Sequence, residues 1–210
     1  MKRLFITTSL FIALCAFTPP GTIKVQTSFY IDKSEISNAG WAEYISYLKD
    51  WRQSDKENVL AVLPDSTVWC SVYHGTFTKD WSKNQNYPVV GISYEQAVNF
   101  CKWRSEAVRI KYHRKVKYRL PSQEEWSKFA NTYILKEHNS IISENIQAVG
   151  NTSGSKKDAL HLFDNISEMT SEKGLAIGNN FTDVQKGLNV HNYSKPEKWL
   201  GFRCACEVNR

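Results

Sequence analysis

Beyond its first 17 residues the chain has no apolar run long enough to cross a bilayer. It also lacks any internal repeat or low-complexity tract, which excludes fibrous and array architectures. Charge of one sign is not in excess: 27 Lys+Arg stand against 21 Asp+Glu, and two of the basic residues lie in the first three positions. The +4 that remains without them does not argue for a nucleic-acid binder. No G-x-S-x-G, H-E-x-x-H or phosphate-loop pattern is present, so the common hydrolase, zinc-protease and nucleotide-binding schemes find no support. The five histidines (74, 113, 138, 161 and 191) are scattered, and cysteine is limited to positions 15, 70, 101, 204 and 206.

What is abundant is aromatic: seven Trp, ten Tyr and ten Phe among 210 residues. Chains of this kind pack around large rings and carry much irregular structure. The opening MKRLFITTSLFIALCAFTPPG has a basic start at Lys2 and Arg3, an apolar run from Leu4 to Phe17, and a Pro19-Pro20-Gly21 stop. That is the pattern of a secretory signal over residues 1–16. The alternative is a lipoprotein signal with Cys15 as the lipidated residue. Either reading places the protein outside the cytoplasm, in the periplasm, at the outer membrane or secreted, where cysteines pair. One domain over 22–210 follows, long enough to bury a real core.

Along that domain, SFYID reads as a strand, and Ser37 caps a helix with Trp41, Tyr44, Ile45 and Leu48 on one face. Residues 59–73 read as β-rich, split by a Pro64-Asp65 turn, and TFTKDWSKNQNYP reads as an ordered surface loop. Ser93 with Gln96, and Ser122 with Glu125, are capping boxes that open two further helices. The first sets Cys101 against the core, and the second buries Trp126, Phe129 and Ala130. The basic stretch RIKYHRKVKYR (109–119) reads as a solvated edge strand or loop guarded by cations. Residues 137–158 read as a long polar loop. The class is α+β, with two or three helices on short strands.

Several of these pieces, in this order, resemble the formylglycine-generating-enzyme (sulfatase-modifying factor) family. The blocks are FYIDKSEISNAGWAEYISYL, YPVVGISYEQAVNFCKW, KYRLPSQEEW, LFDNISEMTSE and LGFRC. The stretch LPDSTVWC ahead of YPVVGISYEQA is also similar to gliding-motility and type IX secretion lipoproteins of Bacteroidetes. The resemblance implies a compact, low-regularity α+β unit related to C-type lectin-like domains.

The family's enzymes oxidise a cysteine using copper held by two cysteines in a GGSW/Y-x-C-x-x-x-x-C segment. The corresponding stretch here is IGNNFTDVQKGL, which puts Asp183 and Leu188 at the two metal positions. A lone carboxylate prefers hard cations and leucine offers no donor, so copper chemistry is not expected. The resemblance also implies a disulfide between Cys101 and Cys204. Cys70 and Cys206 would remain in the mature chain and could form a second bridge. Cys204 and Cys206 are too widely spaced along a strand, roughly 6–7 Å, for a two-coordinate metal site. Calcium is implied around HLFDNISE, through Asp164, the Ile166 carbonyl and Glu168, although His161 is a poor ligand there. The bland alternative gives Asn165 and Glu168 turn and capping hydrogen bonds. Arg203 is expected to anchor the core through hydrogen bonds.

The resulting expectation is an exported, non-catalytic module (a pseudoenzyme) of the cell envelope. It would bind other envelope proteins, no nucleic acid, and membrane only through a lipid anchor. The alternatives are a divergent metal-dependent oxidase and a lectin-like binder using Trp69, Tyr73, Trp81 and Tyr87 as a platform.

Overall fold

The computed structural model describes residues 17–52, 56–133, 143–150, 159–183 and 187–209. The expected leader over 1–16, with Cys15, and most of the 137–158 loop lie outside the described residues. No helix among the described residues is long and apolar enough to cross a membrane.

Two strands open the fold, β1 (Thr22–Gln26) and β2 (Phe29–Asp32). Five helices follow: α1 (Asn38–Ser46), α2 (Lys56–Leu60), α3 (Ser66–Tyr73), α4 (Phe77–Asp80) and the 19-residue α5 (Tyr94–Tyr112). Next come β3 (Val116–Arg119) and α6 (Gln123–Asn131). The last part is β4 (Ser167–Met169), β5 (Leu175–Ile177), β6 (Val190–Asn192), β7 (Leu200–Gly201) and β8 (Ala205–Val208).

The caps form where the sequence places them. Ser37 Oγ accepts from Gly40 N at 3.2 Å, and both capping boxes close reciprocally, Ser93 with Gln96 and Ser122 with Glu125. The stretch 59–73 differs: it is helical, not β-rich. Asp65 is not the middle of a turn between strands but the N-cap of α3, its carboxylate accepting from Val68 N at 2.9 Å. With the helix started, Trp69 and Tyr73 fall one turn apart and pack at 4.8 Å, which outweighs the β preference of Val68 and Val72. The expected loop at 76–88 likewise holds α4 and a 3-10 turn, Trp81–Asn84. Six α-helices are therefore present among the described residues, more than the two or three expected, while the α+β class holds.

The first sheet runs β1-β2-β8-β3, all antiparallel, and the second runs β6-β5-β4-β7 with β4 and β7 parallel. Along β8 the pleat alternates between two cores. Cys206, opposite Tyr30 and Tyr118, faces the larger core. Ala205, opposite Ile31, faces a smaller core with Trp126, Phe129 and Leu162. At the centre of the larger core Trp41 stacks on Phe100 at 5.4 Å, and Phe202 meets both edge-on. At the edge, β3 carries the predicted cations. Arg119 binds Glu125 twice at 2.7 Å and Glu207 at 2.8 Å, tying β3, α6 and β8 together.

Removing the central ring tests this layout. Trp41→Ala should cost about 3–5 kcal/mol and Ser122→Ala about 1 kcal/mol, read from urea unfolding midpoints.

Candidate functional site

The polar groups with the most chemical potential are not on the surface. They form a buried spine where β2 ends, β4 begins and the chain leaves β7. Gly201 makes that crossing, and it cannot be larger: a Cβ there would lie 2.3 Å from Ile166 Cδ1 and 3.0 Å from Val89 O. Two residues on, Arg203 is fully buried against the equally buried Glu168. Arg203 Nε donates to Glu168 Oε2 at 2.5 Å and Nη2 to Oε1 at 2.6 Å. Trp126 Nε1 adds a third bond to Oε2 at 2.6 Å. The remaining guanidinium hydrogens reach the carbonyls of Asp32 and Lys33 through Nη1, and of Leu160 and His161 through Nη2. Arg203 thus anchors the core through hydrogen bonds to three separate segments.

A second buried pair stands beside it. Arg104 on α5 donates to Asp32 Oδ2 at 2.6 Å, and that oxygen also accepts from Cys204 N at 2.9 Å. Asp32 Oδ1 has no hydrogen-bond partner among the described residues.

Glu35, His161 and Asn165 complete the spine. Asn165 adopts a left-handed backbone, φ 69°, which Asn tolerates. Its Nδ2 donates to Glu35 Oε1 at 2.9 Å. Burial pushes the Glu35 carboxyl up to about 7, despite the opposing charges of His161 and Arg203. For His161 burial works downward, but the charge of Glu35 and the hydrogen bond to Asp164 outweigh it and hold the imidazole at about 9. Its Nδ1 lies 2.9 Å from Asp164 Oδ1 and its Nε2 3.2 Å from Ala148 O. Two acceptors, one on each ring nitrogen, fit the doubly protonated ring.

The segment implied as a calcium site is therefore committed elsewhere. Both Glu168 oxygens are held by the Arg203 guanidinium, and Asp164 faces His161. Ile166 packs in the larger core. This donor set does not fit calcium. The alternative of turn hydrogen bonds suits Asn165, whose Oδ1 accepts from Gln147 N at 2.7 Å.

The resemblance aligns Asp183 and Leu188 with the copper cysteines. Asp183 Oδ2 accepts from Asn180 N at 3.0 Å and sits 3.3 Å from His191 Nε2, off the direction of a hydrogen bond. Leu188 packs against the smaller core. Neither supplies a thiolate, so the residues do not fit copper held as the family holds it.

Cys101 on α5 and Cys204 meet in the core, Sγ to Sγ 3.3 Å. Burial pushes the Cys204 thiol well up, and Cys206 up to about 12. Nucleophiles and metal ligands need the thiolate, so this environment opposes both roles for Cys204 and Cys206. The structure does not bring Cys70 and Cys206 together. Cys70 is exposed on α3, whereas Cys206 is buried in β8 with its Sγ toward Glu207 O at 3.9 Å. The aromatic platform also dissolves: Trp69 and Tyr73 are buried, their polar atoms bonded to Asn38 Oδ1 and Pro88 O.

A profile of sulfatase-modifying factor enzyme 1-like domains matches residues 7–208. The chain belongs to this family. Its fold also resembles solved structures. The crystal structure of CarF aligns with a TM-score of 0.51 at 14% identity, over 86% of this chain and 87% of that one. Treponema denticola variable protein 1 aligns with a TM-score of 0.52 at 14% identity, over 91% and 93%. No match is found among curated proteins. Within the family frame, the Glu35, His161 and Asp32 contacts were not foreseen from sequence. Glu35 and Asn165 are 130 residues apart, and no local pattern links them.

The spine predicts an unusual pH profile. Glu35 and His161 both hold protons more tightly folded than unfolded, so each stabilises at low pH. The Glu35 contribution is lost as pH rises from 4.5 through about 7, and that of His161 from 6.5 through about 9. Stability should fall across this window by several kcal/mol, and Glu35→Gln should flatten its lower part in thermal melts.

Proposed function

We propose that this chain is an exported, non-catalytic member of the sulfatase-modifying-factor family that serves as a binding or assembly module of the cell envelope. It would act in the manner of the gliding-motility and type IX secretion lipoproteins, with other envelope proteins as partners. One observation supports this reading: of Asp183 and Leu188, which the resemblance sets at the two thiolate positions, Leu188 packs half-buried against the smaller core. A hydrocarbon has no lone pair, and no rotation of Leu188 creates one. The leader over 1–16 and the likeness of LPDSTVWC to those lipoproteins support the envelope setting. Lipidation of Cys15 would tether the domain there.

A divergent oxidase is the second reading, favoured by the approach of His191 to Asp183. Two donors fall short of the three protein ligands typical of a catalytic metal site. Metal analysis of the purified chain separates the readings, since stoichiometric copper or iron would support the second.

The Cys101–Cys204 contact is proposed to close as a disulfide in the oxidising compartment, the two thiols losing two protons and two electrons to that compartment's oxidants. The 103-residue separation makes the bridge worth about 4–5 kcal/mol in the chain-entropy model. Non-reducing peptide mapping should find Cys101 joined to Cys204, with Cys70 free, and Cys101→Ser should lower stability by that amount.

Incubated with copper, oxygen and a cysteine-containing peptide, the full chain should leave the peptide thiol unchanged by mass spectrometry. Conversion to an aldehyde would overturn the non-catalytic reading.

A further inference from the structure

The C-terminal end of α5 and the turn into β3 remain unused by the function above. Residues 109–117 carry Arg109, Lys111, Arg114, Lys115 and Lys117, all exposed, and no acidic residue. Glu106, three residues before Arg109, pairs with Arg52 at 2.8 Å, and Glu207, opposite Lys117 on β8, pairs with Arg119. Two large apolar side chains stand exposed among these cations, Ile110 at 44% and Tyr112 at 39%.

The N-terminal chain joins the fold at this same place. Phe17 packs on Tyr112, ring centroids 5.7 Å apart, and the Arg114 guanidinium lies 5.8 Å over the Phe17 ring. The carbonyls of this segment are pinned as well: Phe17 O accepts from Tyr30 Oη at 3.4 Å and Pro20 O from Arg104 Nη2 at 3.0 Å. Phe17 is therefore fixed at a cationic, aromatic and aliphatic patch, and Cys15, the lipidated residue of the lipoprotein reading, lies two positions before it in the sequence.

We infer that the end of α5, with residues 109–117 and Phe17, is a membrane-facing surface that rests on anionic phospholipid headgroups. Lys and Arg near such a surface are each drawn to it, and aromatic and aliphatic side chains settle at the headgroup level. A single lipid chain holds a protein only marginally, so a polybasic surface beside the attachment point supplies the second signal that stable anchoring needs. Nucleic acid shares the phosphate chemistry, but the exposed Ile110 and Tyr112 among the cations suit a lipid interface. The inference rests on the envelope reading above, yet it is tested apart from it. Export is read by cell fractionation, whereas the surface is read with purified protein and vesicles.

The experiment mixes the full chain with vesicles of phosphatidylcholine alone or with phosphatidylglycerol, and measures co-sedimentation at low and high salt. Wild type should prefer the anionic vesicles, and salt should weaken that preference. Lys111→Gln, Arg114→Gln and Lys115→Gln combined should bind anionic vesicles roughly a hundredfold more weakly, with binding to neutral vesicles unchanged. Ile110→Ser should weaken binding by a salt-independent step. Near-UV circular dichroism confirms that each variant is folded. Three results would overturn the inference. One is equal affinity of wild type for both vesicle types, and another is undiminished anionic binding by the folded triple variant. The third is preferential retention of duplex DNA or inorganic phosphate over vesicles at matched ionic strength.

Discussion

The Arg203–Glu168 pair is the contact on which the rest of the structure depends. Both groups are fully buried, and two charges taken out of water are costly unless every donor and acceptor is met. Here the guanidinium spends its hydrogens on one carboxylate and four carbonyls, and the carboxylate receives the Trp126 indole as well. That saturation fixes geometry more than it adds net stability. A well-packed apolar pair of the same volume could be as stable, but it would not specify where β2, the 160–161 segment and β4 must meet.

The two cores follow from this arrangement. With Arg203 held below the sheet junction, Phe202 turns into the aromatic cluster of the larger core and Cys204 into the same core beside Cys101. Asp32 receives both Arg104 and the Cys204 amide, so α5, β2 and the start of β8 share one polar node. The aromatic rings then fill what the short strands leave open. Edge-on and stacked contacts among Trp41, Phe100 and Phe202 suit a fold with little regular structure, because large rings span gaps that a continuous sheet would otherwise close.

What could be read from the sequence was local. Capping boxes at Ser93 and Ser122 need only four consecutive residues, and both form as read. The burial of Trp126, Phe129 and Ala130 follows from helical period alone. Residues 59–73 misled because β-branched residues and a Pro-Asp pair satisfy strand and turn patterns, while the deciding event was one side-chain cap by Asp65. The polar spine was hidden for a different reason. Glu35 meets Asn165, and Asp32 meets Arg104 and Cys204, across separations of 72 to 172 residues. Burial pushes the Glu35 carboxyl up, whereas at His161 the neighbouring Glu35 and Asp164 outweigh burial and raise the imidazole.

The same spine bears on what the family fold is being used for. A calcium ion and an arginine both neutralise a buried carboxylate, but they differ in consequence. A cation can leave and return, whereas a guanidinium is part of the chain and stays. At Glu168 the covalently attached charge is present, and at positions 183 and 188 the soft donors are gone. The charge that neutralises Glu168 is thus supplied from within the chain, by the arginine of the LGFRC block.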